Sequence, residues 1–189
     1  KYKIDGVILT NTTNQNRVSS LDELVRLLKK GDYEPVLSQS EHLTFSLDEM
    51  LPYIFWDKDR YTRNCIARDE YFELVLLCWE QGQKTAIHCH NKQECWVKVV
   101  SGSFSEELYR LNENTGEMKY ITTDILSQHE VTSVEDASVF HNLANISNGR
   151  SMSLHLYMKP IEECRIYDRE TSEIRMVSLS YDTLDGKPY

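Results

Sequence analysis

Two histidines one residue apart, in the run Ile87-His88-Cys89-His90, have the type and spacing to bind a metal. The segment reads as β-strand, in which residues i and i+2 share a face, so both imidazoles are expected to point the same way. His141 lies far enough downstream to return on a neighbouring strand and add a third nitrogen. Three such donors on one face leave half of an octahedral metal open for a substrate and for oxygen. Spacing leaves the fourth position undecided. Either Glu94 is a ligand, or it points away and Cys95 faces the pocket, because neighbouring strand residues face opposite sides. His42 and His129 fit no motif and are expected at the surface.

These side chains need a rigid β frame. From about residue 60, short β-rich runs follow one another: Tyr61–Ile66, Tyr71–Glu80, Thr85–His90, Cys95–Val100, Ser103–Leu111, Glu117–Thr123, Val139–Ile146 and Ser153–Met158. Arg165–Tyr167 and Ile174–Tyr181 close the series around a polar turn. Turn residues such as Asn114-Thr115-Gly116 and Ser147-Asn148-Gly149 lie between them, the pattern of a sandwich or barrel and not of a parallel α/β sheet. The chain before residue 60 differs. Ser20-Leu21-Asp22-Glu23 and Ser46-Leu47-Asp48-Glu49 both read as capping boxes. The first opens a helix with Leu24, Val25, Leu27 and Leu28 on one face and Gly31 past its end. Pro52 limits the second. The fold is expected to be mainly β with N-terminal helices: one domain over 1–189, with a helical lead-in over 1–59 and a β-barrel over 60–189.

A chain of 189 residues with 40% apolar residues and 11 tyrosines suits one well-filled core. The net charge of −9 comes with no basic stripe, which argues against nucleic acid and anionic membrane as partners. The sequence shows no apolar run of membrane length and no signal-peptide pattern, and its start at Lys1 is read as loss of an initiator residue. Its five cysteines are scattered, without a C-x-x-C pair. Reduced thiols in a cytoplasmic protein are therefore expected, not a disulfide scaffold or a thiolate zinc knuckle. Cys65 and Cys78 read as core, and Cys89 should face away from any metal between its neighbours.

Gly82, five residues, His88, one residue, His90, three residues, Glu94 and then Gly102 make one motif; His141, three residues and Asn145 make a second. Both resemble the motifs of the cupin jelly roll, in which inward-facing residues of a small barrel hold a metal. Asp136-x-Ser138 departs from the Pro-x-Gly found in many cupins. Among cupins, the chain resembles the cysteine dioxygenases over nearly its whole length. The residues that carry the resemblance are Arg60-Tyr61-Thr62-Arg63-Asn64, Leu77-Cys78-Trp79, Ile87-His88-Cys89-His90, Cys95, His141, Asn145-Ile146-Ser147, Ser153-Leu154-His155-Leu156-Tyr157 and Cys164. Glu94 is a departure, since vertebrate members carry histidine there.

The resemblance implies a cytoplasmic, monomeric enzyme of cysteine catabolism and taurine biosynthesis, acting on L-cysteine and O2 to give cysteine sulfinic acid. It implies Fe(II) held by His88, His90 and His141, and it puts Cys95, not Glu94, in the pocket beside Tyr157, to which it can be joined by a thioether bond. Arg63 would grip the substrate carboxylate as a planar fork, with Tyr61 lining the same pocket and Cys164 at its rim. Ser153, His155 and Tyr157 alternate along one strand and share a face; spacing alone suggests a core face with a buried histidine, and it is the resemblance that implies a hydrogen-bonded relay among them. Other readings compete. A 3-mercaptopropionate-type thiol dioxygenase would resemble this chain but typically has glutamine for the arginine and glycine for Cys95. A non-catalytic metal-binding cupin would have less need of the carboxylate clamp and the relay, and a zinc or nickel cupin enzyme is the third.

Overall fold

The computed structural model describes residues 18–90, 93–134, 136 and 138–189. Its strands in chain order are β1 (Thr62–Arg68), β2 (Glu73–Trp79), β3 (Ile87–Cys89), β4 (Cys95–Ser101), β5 (Ser103–Leu111), β6 (Met118–Ser127) and β7 (Val131–Val134). They continue with β8 (Val139–Asn145), β9 (Ser151–Tyr157), β10 (Glu163–Tyr167), β11 (Ile174–Ser178), β12 (Thr183–Leu184) and β13 (Lys187–Pro188). One sheet has the order β13-β12-β1-β2-β9-β4-β7, and the other β11-β10-β3-β8-β5-β6. From β2 to β5 and again from β7 to β10, successive strands belong to alternate sheets. This wrapping is the jelly-roll arrangement expected of the sequence, and the protein is mainly β.

Strands β2 and β9 do not alternate apolar with polar residues because both their faces are covered: every position in each is buried. On the inner face, Val75, Leu77, Trp79, Val97 and Val99 pack with Phe104 and Leu143 of the second sheet. On the outer face, Leu74, Leu76, Leu154 and Leu156 meet the helical lead-in, through Leu21, Leu24 and Leu28 of α1 (Leu21–Lys29), Val36 of α2 (Glu34–Ser38) and Met50 of α3 (Leu47–Met50). Burying each such aliphatic side chain contributes roughly 1.5–3 kcal/mol. A charge also crosses this seam. The ammonium of buried Lys98 donates to the carbonyls of Ser40, Glu41 and His129 at 2.8, 3.1 and 2.9 Å, so all three of its protons are used.

The structure differs from expectation in several places. Ser20 caps α1, but the Glu23 carboxylate reaches back to the N–H of Ser19, one residue earlier than a capping box requires. The box at Ser46 is complete, yet α3 spans one turn before a 3-10 turn at Leu51–Tyr53, where Pro52 cannot supply an N–H. Helix α2 and strands β7, β12 and β13 were not expected, and the final long strand ends at Ser178 instead of Tyr181. Residues 1–17 of the expected lead-in lie outside the described residues. Gly102 turns the chain from β4 into β5 at φ +83°, and a Cβ there would lie 1.9 Å from Ser151 Oγ. Among the described residues, no helix is long and apolar enough to cross a membrane.

Candidate functional site

Strand register decides which side chains meet. His88 on β3 is the direct cross-strand partner of His141 on β8, and His90 follows one residue past the end of β3. The ligand nitrogens of the three rings all lie within 4.8 Å of one another. Nδ1 of His141 donates to Oε1 of buried Glu106 at 2.7 Å, and Nδ1 of His88 donates to the carbonyl of Ala86 at 3.0 Å. Each bond fixes a proton on Nδ1 and leaves Nε2 as the ring nitrogen available to a ligand. The other Glu106 oxygen is held by Thr132 Oγ1 at 2.7 Å.

Nε2 of His141 approaches Nε2 of His90 to 3.2 Å, while Nδ1 of His90 is buried without a hydrogen-bond partner. Burial, with His141 adding to it, pushes His88 down to about 3 and holds His90 well below the usual imidazole range. Imidazole nitrogens gathered this closely suit a divalent transition metal, for which imidazole is a favoured ligand. Glu106 behind His141 completes the carboxylate–histidine arrangement that orients metal-binding rings. Glu94 lies outside this group. It is exposed, and its backbone carbonyl accepts from Met158 N.

The inner face of the first sheet carries the remaining polar groups in rows. Glu73, Tyr157 and Cys95 are aligned across β2, β9 and β4; Val75, His155 and Val97 form the next row, and Leu77, Ser153 and Val99 the third. Arg63 pairs with Leu77 from β1. Within this face Trp79 Nε1 donates to Ser153 Oγ at 2.9 Å, Ser153 Oγ meets His155 Nε2 at 2.8 Å, and His155 Nδ1 meets the Tyr157 hydroxyl at 3.4 Å. An indole N–H can only donate, so Ser153 accepts it and directs its own O–H to Nε2 of His155. His155 then holds its proton on Nδ1, facing the Tyr157 oxygen, and the phenolic O–H is left to donate onward. Burial, then Arg63, keeps His155 well below its usual range; burial, then Cys95, keeps Tyr157 well above its own.

A cavity of about 170 Å³ joins the two halves of the site. Its polar wall holds Tyr61, Arg63, His88, His90, His141, His155, Tyr157 and Cys164, and Leu77, Leu143, Ile166, Val177 and Leu179 supply the apolar wall. Tyr61 stacks on Trp79 with ring centroids 4.6 Å apart. Burial pushes the Cys164 thiol up to about 11. Cys95 is fully buried next to Tyr157 on the adjacent strand, behind the cavity lining instead of within it, and burial raises its thiol well above the usual range. Arg63 is almost fully buried; its Nε donates to the Ser180 carbonyl at 3.3 Å and one Nη to Glu73 at 3.0 Å. Burial alone would lower Arg63, but Tyr157 and Glu73 reverse that and raise it.

Other motif residues lie elsewhere. Asn145 brackets the sheet ends, donating to the carbonyls of Glu80 and Gly149 and accepting from Ser147 N and Ser151 Oγ. Cys89 is buried with Tyr109 and Phe140, away from the cavity, and His42 and His129 are exposed. Three residues that now adjoin the site were not singled out from the sequence: Glu73, Trp79 as a donor, and Glu106. Glu106 shares the inward phase of Phe104 on β5, and Glu73 heads an otherwise apolar strand; those were the available signs.

Comparison with known proteins gives the family. Residues 4–170 match the family model for cysteine dioxygenase type I. Cysteine dioxygenase type 1 of Homo sapiens is 28% identical over 176 residues, covering 88% of each chain, and that of Danio rerio is 25% identical over 189 residues, covering 94% of each. A solved double-stranded β-helix domain protein from Klebsiella pneumoniae superposes with a TM-score of 0.47 at 17% identity, over 61% of this chain and 83% of that one. With the match running from the lead-in through the last cavity-lining cysteine, the chain belongs to the cysteine dioxygenase type I family.

Proposed function

We propose that this protein is an iron(II)-dependent dioxygenase that adds both atoms of O2 to the sulfur of L-cysteine, giving cysteine sulfinic acid. The observation that carries this reading is one cavity lined both by three converging imidazoles and by the guanidinium of Arg63. His88, His90 and His141 would hold the ion. When bound, ferrous iron supplies the redox and Lewis-acid chemistry by which dioxygen is added to a thiolate.

The chain's own groups do the rest. Arg63 attracts the substrate carboxylate through its planar fork. The apolar wall excludes water from the reacting sulfur. The chain from Trp79 through Ser153 and His155 fixes the Tyr157 oxygen as an acceptor from His155, so its own proton can be donated to a negative group in the cavity. Cys164 would contact substrate at the rim. Cys95 is the cross-strand partner of Tyr157, where transfer of the thiol hydrogen and one ring hydrogen to O2, reduced to hydrogen peroxide, would give the thioether. Intact mass spectrometry after turnover should show a form lighter by two hydrogens, absent in Cys95→Ser.

We read the chain as one domain, active as a monomer in the cytoplasm, a setting that suits its five free, buried cysteines. Oxygen uptake by the iron-loaded protein tests the substrate. Cysteine should be oxidised faster than 3-mercaptopropionate, and Arg63→Ala should lower kcat/KM for cysteine at least tenfold while iron is retained, since it removes a charge-assisted contact of about 1.5–3 kcal/mol. Faster turnover of 3-mercaptopropionate would overturn the assignment.

A further inference from the structure

Arg63 already has a carboxylate on one edge. Glu73 is fully buried, with Oε1 3.0 Å from the Arg63 Nη2 and Oε2 accepting the N–H of Ile161 at 3.0 Å. Both of its oxygens therefore have donors, as a buried ion needs if it is to persist; burial pushes the Glu73 carboxyl above the ordinary range, and Arg63, then Tyr181 and the Ile161 N–H, oppose that push. Its place is set by register: Glu73 opens β2 directly opposite Tyr157, in the row that borders the cavity. The Arg63 Nε is taken by Ser180 and the Tyr157 hydroxyl is a further partner, so the guanidinium can turn to a substrate only through what Glu73, Ser180 and Tyr157 leave. A substrate carboxylate bound there would share one positive charge with Glu73 and would be repelled by it at short range in a partly desolvated site.

We propose that Glu73 is a specificity-determining residue: it fixes the Arg63 guanidinium in the cavity wall and offsets its charge, so the site favours carboxylate-bearing thiols less steeply than Arg63 alone would. The inference rests on the reading of this cavity as a thiol site with Arg63 as anchor. It concerns how strongly the cavity rewards one substrate group, which neither the histidines nor the tyrosine relay determines.

The test is thiol binding without oxygen. Dissociation constants of L-cysteine and of cysteamine, which has the same thiol and amine but no carboxylate, are measured on the iron(II)-loaded protein and its Glu73→Gln variant. Glu73→Gln should bind cysteine about tenfold more tightly, since a like charge at short range is removed, with cysteamine unchanged. An equal change for both thiols, or no change for either, overturns the proposal. Because no turnover is read, wild-type protein that binds both thiols yet consumes no oxygen would defeat the dioxygenase reading and leave this comparison standing. Removing one partner of a buried pair can unfold a protein. If Glu73→Gln does not accumulate folded, Arg63→Gln/Glu73→Gln is compared with Arg63→Gln alone. The double variant should bind cysteine several-fold more tightly and cysteamine equally; equal affinity for cysteine overturns the proposal.

Discussion

Glu106 touches no substrate space, yet its 2.7 Å bond to Nδ1 of His141 fixes the orientation of that ring and leaves Nε2 to face the other two. Glu106→Ala should weaken divalent metal binding by about 10–100-fold, the usual cost of losing a carboxylate behind a ligating histidine. Competition against a chelating dye with Co(II) or Fe(II) would measure this, and an unchanged affinity would show that His141 needs no support. The three histidines were legible in the sequence because strand periodicity puts His88 and His90 on one side and the spacings from Gly82 and from His141 to Asn145 match a metal-binding pattern. Glu106 and Glu73 were not, because their partners lie across strands, 35 residues away at His141 and ten away at Arg63. A buried carboxylate is recognised by its neighbour, and neighbours of that kind are not written in spacing. Of the two alternatives open in the sequence, Glu94 is exposed and stands apart from the three histidines, while Cys95 is fully enclosed beside Tyr157 but behind the cavity lining.

The strands that carry the site are held by their turns and by the C-terminal segment. Asp182 accepts from both Arg60 Nη groups and from the backbone N–H of Arg63, fastening the segment before β12 against β1. Burial pushes the Asp182 carboxyl up, but these donors outweigh it and hold the group below the ordinary range. Its contribution is therefore complete above the unfolded carboxylate pKa of about 3.9 and is lost as pH falls through the lowered folded value. Asp182→Asn should cost about 1–2 kcal/mol at neutral pH by chemical unfolding and flatten the loss of stability on acidification, since the variant has no carboxylate to titrate. An identical acid profile would contradict this. Most strands were legible from β-rich runs between polar turns, but β7 was hidden. The turn before it has no glycine or proline; His129 instead adopts φ +77°. The β12–β13 hairpin was signalled by Asp185-Gly186, which take φ +50° and +71° as a two-residue primed turn requires, but the strands beside it are only two residues long.

Taken together, the two sheets and the lead-in form a frame whose stability and chemistry meet at three rings contributed by β3, β8 and the segment just past β3. A ligand that binds only the folded state stabilises it, by about 2.7 kcal/mol at a hundredfold excess over Kd. Fe(II) should accordingly raise the thermal midpoint of the metal-free protein, and His141→Ala should abolish the rise. A midpoint indifferent to iron in the native protein would count against a metal centre here. The most direct measurement is turnover of the iron-loaded protein with L-cysteine under 18O2, with the product analysed by mass spectrometry. Cysteine sulfinic acid carrying two labelled oxygens, formed in step with oxygen consumed, is the expected result. Cystine alone, or a sulfinate whose oxygens come from water, would contradict it.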